Sequence, residues 1–314
     1  MILNSNKSVV IFANYSNIKS IILVNETIRI ALKKNKIKVL LICDTSLNQS
    51  PLARKLLWNI QTLCTFRGVE IIIPENNNIN HPKFIDFLKS KIKPDYAFSF
   101  GCDQIFSVEL LNIFTSVLNH HNGILPNYRG WLVTPWTLYN KENETGYSYH
   151  YMTKEVDHGP ILLSESIIID TKNLRDTEFE KAKLASSKLN KVIDDFINKA
   201  LGSPQHGKPN YYSKKDFNNI TTIKNPSIFT LEELQHRLNS FGFLNVMVNN
   251  NYIKVTNFKL KSKPFRKCKK NWFITSDDCF VIPQKDTKTH ICIRFIKRLF
   301  LIYKLNFGLN KVLE

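Results

Sequence analysis

Short apolar runs alternate with longer amphipathic ones through the first half of this chain, and that alternation restricts the fold more than any other feature. "SVVIFAN" (8–14), "KVLLICD" (38–44), "VEIIIPE" (69–75), "DYAFSFG" (95–101) and "VLNHH" (117–121) have the length and apolar density of buried strands. Between them stand "KSIILVNETIRIALKKN", "SPLARKLLWNIQTLCTFRG", "HPKFIDFLKSKI" and "SVELLNIFTS", all with helical spacing. In the second of these Ser50 is placed as N-cap, Pro51 in the first turn and Gly68 at the exit. Strands and helices alternating at this pitch imply an α/β fold with a doubly wound, mostly parallel sheet. In such sheets ligands bind beyond the carboxyl ends of the strands. "SFGCDQ" and "NHHNG" stand at two of those ends.

After Gly146 the pattern changes. "GYSYHYM" alternates strictly and "PILLSESIII" follows a short turn, so a strand pair extends the sheet. "LRDTEFEKAKLASSKLNKVIDDFINKAL" is a long amphipathic helix that closes the first unit. "GSPQHGKPNYYSKKD" is rich in Gly, Pro and Ser and reads as a linker. The expected division is a first domain over 1–203 and a smaller, mostly β module over 204–314, with one helix in "TLEELQHRLNSFG".

The 314 residues carry a formal net charge of +18. A basic balance suits nucleic acid or an anionic surface. Here, however, much of the Lys is scattered singly and accompanied throughout by Asn and Ile, as an AT-rich coding bias produces. The six cysteines lie far apart with no Cys-x-x-Cys pair, which excludes a zinc ribbon or disulfide framework and suits a reducing compartment. No apolar run reaches the roughly 18 residues of a spanning helix. A cytoplasmic location is expected.

One stretch, "LNHHNGILPNYRG", gathers an Asn, two His, a Pro turn and an Arg-Gly step. Residues i and i+2 of a strand share a face, so Asn119 and His121 project together and His120 points away. An amide N–H and an imidazole side by side suit a developing oxyanion and a moving proton. The missing carboxylate is found in "KEVDHGPIL": Asp157, in the turn after the alternating strand. His120, His150 and His158 are expected to be structural or solvent-facing. No His, Cys and carboxylate set has metal-ligand spacing, so no metal is expected. G-x-S-x-G, the P-loop and G-x-G-x-x-G are absent from the sequence as well.

Taken together, "KPDYAFSFGCDQIFSVELLN", "LNHHNGILPNYRG" and "PWTLYNKENETGYSYHYMTKEVDHGPIL" resemble, part for part, the folate-dependent formyltransferases. That family carries Asn-x-His-x-(small)-Leu-Leu-Pro, then Arg-Gly, a helix, Glu-Thr-Gly, an alternating strand and Asp-x-Gly. The resemblance covers 8–200 in layout and is most specific over 95–163. It implies a Rossmann-like formyltransferase domain moving a formyl group from 10-formyltetrahydrofolate to an amine, with Asn119, His121 and Asp157 catalytic. It places the folate against Phe100, Gly101, Asp103, Gln104, Ile105, Leu125 and Val156. It places the acceptor against Tyr128, Arg129, Trp131, Tyr211 and Lys214. Two departures stand out: Gly123 where Ser is usual, and Trp131 where some members carry a small residue.

Three acceptors recur in that family. Glycinamide ribonucleotide is set aside, because "ANYSNIKS" replaces a Gly-rich phosphate loop and a second module follows. Methionyl-tRNA suits the charge, but the long basic insertion after strand two is missing from "DTSLNQSPLARKLL". A nucleotide-linked amino deoxysugar is the favoured acceptor, with tRNA as the alternative. A basic nucleic-acid-binding protein on a degenerate formyltransferase fold is a third reading. "FIKRLFLIYKL" is expected to serve as a dimer contact, which would make the protein a homodimer.

Overall fold

The computed structural model describes residues 7–14, 17–34, 37–45, 68–169, 174–261, 273–277 and 279–284. The expected helix over 50–68 and the segment "FIKRLFLIYKL" lie outside the described residues.

The chain opens with strand β1 (Lys7–Ala13), helix α1 (Ile18–Lys34), β2 (Ile37–Asp44) and β3 (Glu70–Ile72). Helix α2 (Pro82–Phe87) has Pro at its first turn and runs into one π turn (Leu88–Ile92), which Lys93 stops at φ +50°. Then come β4 (Tyr96–Phe100), the short α3 (Val108–Leu111), β5 (Ser116–His121) and the two-residue β6 (Arg129–Gly130). Helix α4 (Val133–Tyr139), β7 (Glu144–Tyr151), β8 (Ile161–Ile168) and the long α5 (Leu174–Ile197) follow. Among the described residues the sheet has order β3-β2-β1-β4-β5-β7-β8. Its first five members are parallel, and the β7–β8 hairpin joins β5 antiparallel. The expected α/β sheet is therefore present, with a mixed edge.

Both faces of the sheet are covered, and β1 shows why the sequence demands it. Val9, Ile11 and Ala13 pack with α1 and with Leu189, Val192 and Phe196 of α5. The alternate residues Val10 and Phe12 pack with Phe84, Leu88, Phe106, Leu110 and Phe114 on the other side. A strand buried on both faces has no polar side to show, hence the unbroken apolar run. Phe12 meets Phe106 edge-on at 4.7 Å, and removing such a ring costs about 3–5 kcal/mol.

The segment read as a linker is ordered structure. Strand β9 (Tyr211–Tyr212) pairs parallel with β6. Ser213 then caps α6 (Lys214–Thr221) in a reciprocal box with Asp216. The expectation of a single helix beyond residue 204 is thus corrected to two, because the Ser-x-x-Asp box lay hidden among turn-forming residues. After β10 (Thr222–Ile223) comes α7 (Leu231–Phe241), capped by Thr230 and Glu233 and ended by Gly242 at φ +78°. Strands β11 (Leu244–Val248) and β12 (Asn251–Val255) join β10 in one small sheet. Strands β13 (Asn257–Lys261), β14 (Phe273–Ile274) and β15 (Phe280–Gln284) form another. Among the described residues no helix is long and apolar enough to cross a membrane.

Candidate active site

Strand alternation carries the site onto one face of the sheet. In β5, Leu118 lies in the core beneath α1 and α5, while Val117 lies in the opposite core. His120 follows Leu118: it is buried, and stacks on Tyr147 at 5.6 Å. Burial holds its pKa well below the ordinary imidazole value, so it is neutral packing. Asn119 and His121 face the other way and meet the turn that bears Asp157.

Asp157 is the hub of the cluster. Its Oδ2 lies 3.3 Å from His121 Nδ1 and accepts the Gly130 amide at 2.9 Å. Its Oδ1 lies 3.5 Å from both Asn119 Nδ2 and His150 Nε2. Burial by itself pushes this carboxyl up, but the His121 imidazole outweighs it and holds the group well below the usual carboxylate range. Asp157 itself sits in left-handed backbone at φ +55°. The turn closes so tightly that a Cβ on Gly159 would fall 1.7 Å from the Tyr151 carbonyl oxygen.

His121 is held at both nitrogens. Nε2 lies 2.7 Å from the Tyr128 carbonyl, which only accepts, so this nitrogen carries a proton. Gly123 makes the approach possible: a Cβ there would lie 3.1 Å from His121 Nε2 and 2.7 Å from Val133 Cγ1. The departure from Ser at this position therefore has a steric reason. Tyr128 and Gly130 flank Arg129, so one short strap receives the His121 proton and donates to Asp157.

His150 was missed in the sequence. It is directly opposite Asn119 in the antiparallel register and only 1 % exposed. Its Nδ1 lies 2.8 Å from the Tyr151 carbonyl, which places the proton there and leaves Nε2 to accept from Asn119 Nδ2 at 3.0 Å. Of the two expected settings for His150, structural or solvent-facing, it has the first: it is buried and hydrogen-bonded to the Asn119 amide. The signal was present in the alternation of "YSYHY", but the pairing register was not. His158 faces the Arg129 guanidinium.

The residues assigned to the folate side are dispersed among several tasks. Phe100 is buried in the core and ends β4 beside His120. Gly101 turns the chain at φ +73°. Asp103 accepts from Asn14, and burial raises its pKa. Gln104 clamps the preceding loop through Ile79 N at 3.1 Å and Asn77 O at 2.7 Å. Ile105 is 67 % exposed beyond this strand end. Leu125 is buried in the strap and Val156 half-buried in the Asp157 turn.

Of the residues assigned to the acceptor, Tyr128 is buried, stacked on Tyr212 at 5.5 Å, and hydrogen-bonded to Glu142. Arg129 is buried, with its Nε and Nη2 on Gln205 Oε1. Trp131 packs edge-on against Phe217 at 5.0 Å with Lys214 Nζ 5.9 Å from its ring. Tyr211, exposed, pairs with Arg129 in the β6–β9 register and lays its ring beside Gly130. Trp131, Tyr211 and Lys214 thus meet beside the strap, whereas the polar ends of Tyr128 and Arg129 turn inward.

Fold and cluster together describe an open α/β chain with an Asn–His–His–Asp group at the carboxyl ends of its sheet. The formyl transferase family model matches residues 8–191, and the chain belongs to that family. It is 43% identical over 118 residues to the bifunctional polymyxin resistance protein ArnA of Wigglesworthia glossinidia brevipalpis. The match covers 37% of this chain and 18% of that protein, so the chain spans less than a fifth of this curated relative. A 4-N formyltransferase from Francisella tularensis superposes with a TM-score of 0.59 at 22% identity, covering 80% of this chain and 97% of the other. The N-formyltransferase of Helicobacter canadensis, solved with folinic acid and dTDP-3-aminofucose, gives 0.54 at 18% identity, covering 90% and 100%.

Proposed function

We propose that this chain is an N-formyltransferase that moves the formyl group of 10-formyltetrahydrofolate to the amino group of a nucleotide-linked amino deoxysugar. The observation that carries the reading is the Asp157 hub, within 3.5 Å of His121, His150 and Asn119. Among the similar structures are a 4-N formyltransferase and an N-formyltransferase solved with folinic acid and dTDP-3-aminofucose. Ile105 and Val108, both exposed and both following the carboxyl end of β4, offer apolar surface to a flat heterocyclic donor, and β4 is the strand neighbour of β5.

The folate supplies a formyl carbon already activated on nitrogen. One Asn119 N–H is spent on His150, while the other reaches Asp157 only at 3.5 Å and is free to turn to an oxygen that gains charge. The amine must lose a proton as its new C–N bond forms. Asp157, ionised and in contact with His121, accepts that proton directly or through water. The bond from the formyl carbon to the folate nitrogen then breaks, and the proton passes to that nitrogen, so that tetrahydrofolate leaves neutral. Trp131 and Lys214 offer a ring and a cation beside the strap for a nucleotide's base and phosphate.

The test is turnover with 10-formyltetrahydrofolate against dTDP-, UDP- and GDP-linked amino sugars and charged methionyl-tRNA. Asn119→Ala and Asp157→Asn serve as controls. Formylation of an amino sugar that collapses in both controls supports the reading. Formylation of tRNA alone replaces the acceptor, and the net charge of +18 then becomes the better guide. Silence on every acceptor removes the enzyme reading.

A further inference from the structure

The carboxamide of Gln205 occupies a position that neither strand alternation nor the Asn-x-His pattern reveals. Its Nε2 lies 2.8 Å from the Asp157 carbonyl oxygen and 2.9 Å from that of Gly159. Its Oε1 accepts from Arg129 Nη2 at 2.6 Å and Nε at 3.2 Å. One amide therefore spans the turn that carries Asp157 and the strap that carries Arg129.

That strap is what holds the catalytic pair on its second side. The Tyr128 carbonyl receives His121 Nε2–H, and the Gly130 amide donates to Asp157 Oδ2. Both groups are peptide neighbours of Arg129. The segment around Gln205 is tied down at both ends: Ser203 pairs with Ile161 through two backbone bonds of 2.7 and 2.8 Å, and Asn210 O accepts the Arg129 amide at 3.1 Å. Trp131 N donates to Tyr212 O at 2.8 Å, continuing the β6–β9 pairing. What resembles a linker in sequence is the third wall of the site.

We infer that Gln205 is a positioning residue, whose carboxamide locks the Asp157 turn to the Arg129 strap and thereby sets the His121–Asp157 distance. The physical requirement is specific. Asp157 stands in left-handed backbone, which ordinary side chains adopt only when their surroundings hold them there. Two hydrogen bonds to the carbonyls of that turn provide such a hold. A donor nitrogen and an acceptor oxygen are needed at once, because carbonyls face one end and a guanidinium the other. Of the common side chains of this length, Gln alone offers both.

The inference rests on the formyltransferase reading for its kinetic arm and stands apart from it in its spectroscopic arm. Gln205→Ala removes both halves of the clip. Gln205→Glu keeps acceptors for Arg129 and loses the donor to the turn. Both are expected to lower kcat by about 10- to 100-fold, the scale of an ångström-level misplacement. The acceptor KM is expected to stay within about threefold. Lys208→Ala, an exposed change on the same segment, is expected to leave turnover unchanged.

Imidazole 15N spectra of the native protein and both variants supply the second arm, with the His121 signal assigned through His121→Gln. The His121 signal is expected to move in both Gln205 variants and not in Lys208→Ala, with melting still cooperative. Should no acceptor be formylated while the His121 signal moves, the function reading falls and the role of Gln205 stands. Should Gln205→Glu keep the native kcat and the native His121 signal, the clip is overturned. Loss of cooperative melting in Gln205→Ala leaves Gln205→Glu to decide between the two.

Discussion

Asp157 and His121 meet at 3.3 Å, and the contact reverses what burial does to the carboxyl. Burial pushes the group up; the His121 imidazole brings it well below the ordinary range. A carboxyl depressed in the folded state adds stability that is complete above its unfolded value and lost as pH falls through the folded one. The melting temperature of the native protein is thus expected to exceed that of Asp157→Asn by a constant margin above about pH 5. The margin narrows on the acid side. Thermal melts from pH 2.5 to 7 check this, and a margin that does not change with pH means the carboxyl is not depressed.

A second buried ionisable group touches Asn122, the residue after His121. Lys181 of α5 is 0 % exposed, and its Nζ donates to Asn122 O and Thr134 Oγ1, both at 2.7 Å, and to Thr145 Oγ1 at 3.3 Å. Burial brings its pKa down to about 7; Glu178 pulls the other way and Lys19 adds to burial. The unfolded chain keeps this proton until about pH 10.4. Between the two values the unfolded state binds more protons, so stability rises with pH. The melting temperature of the native protein relative to Lys181→Met is expected to climb by on the order of 5 °C from pH 7 to 9.5. A flat difference across that range would show that the amine stays charged.

The legibility of this protein in its sequence follows from which relationships are local. Val9 to Ala13 announce a strand buried on both faces without any partner being known. The i, i+2 rule puts Asn119 and His121 on one face and His120 on the other, and the structure places them so. His150 needed the antiparallel register opposite Asn119, which no single strand contains. Strands β6 and β9 have two residues each, too few for a period to show. Gln205 sits among Gly, Pro and Ser, where turn chemistry hides a long-range bond to residue 157. Arg129 reads from the sequence as an acceptor-side residue; the turn of its guanidinium onto Gln205 does not show there.

The orientation of the Asn119 amide depends on His150. Replacement of His150 by Leu removes the acceptor at 3.0 Å and is expected to lower kcat by up to about 100-fold with little change in folding. His150→Gln returns an acceptor and is expected to recover part of that loss. Steady-state turnover of the three proteins at one pH, beside their melting curves, separates the effects. Equal rates for Leu and Gln would mean that acceptor chemistry at residue 150 is irrelevant.

Gly159 tests whether the Asp157 turn tolerates any movement. A methyl group there would overlap the Tyr151 carbonyl oxygen, backbone that cannot swing aside as a side chain does. Tyr151 N itself accepts no such shift, because it donates to Pro160 O at 3.0 Å across the same turn. The turn must therefore open, which separates the carbonyls of residues 157 and 159 from Gln205 and draws Asp157 from His121. Gly159→Ala is expected to destabilise the protein by about 2 kcal/mol or more. Turnover should fall further than Asp157→Asn alone explains, because the strap loses its partner as well. Denaturant unfolding measures the first effect and steady-state kinetics the second. A stable Gly159→Ala protein with native turnover would mean that the turn opens without disturbing the hub.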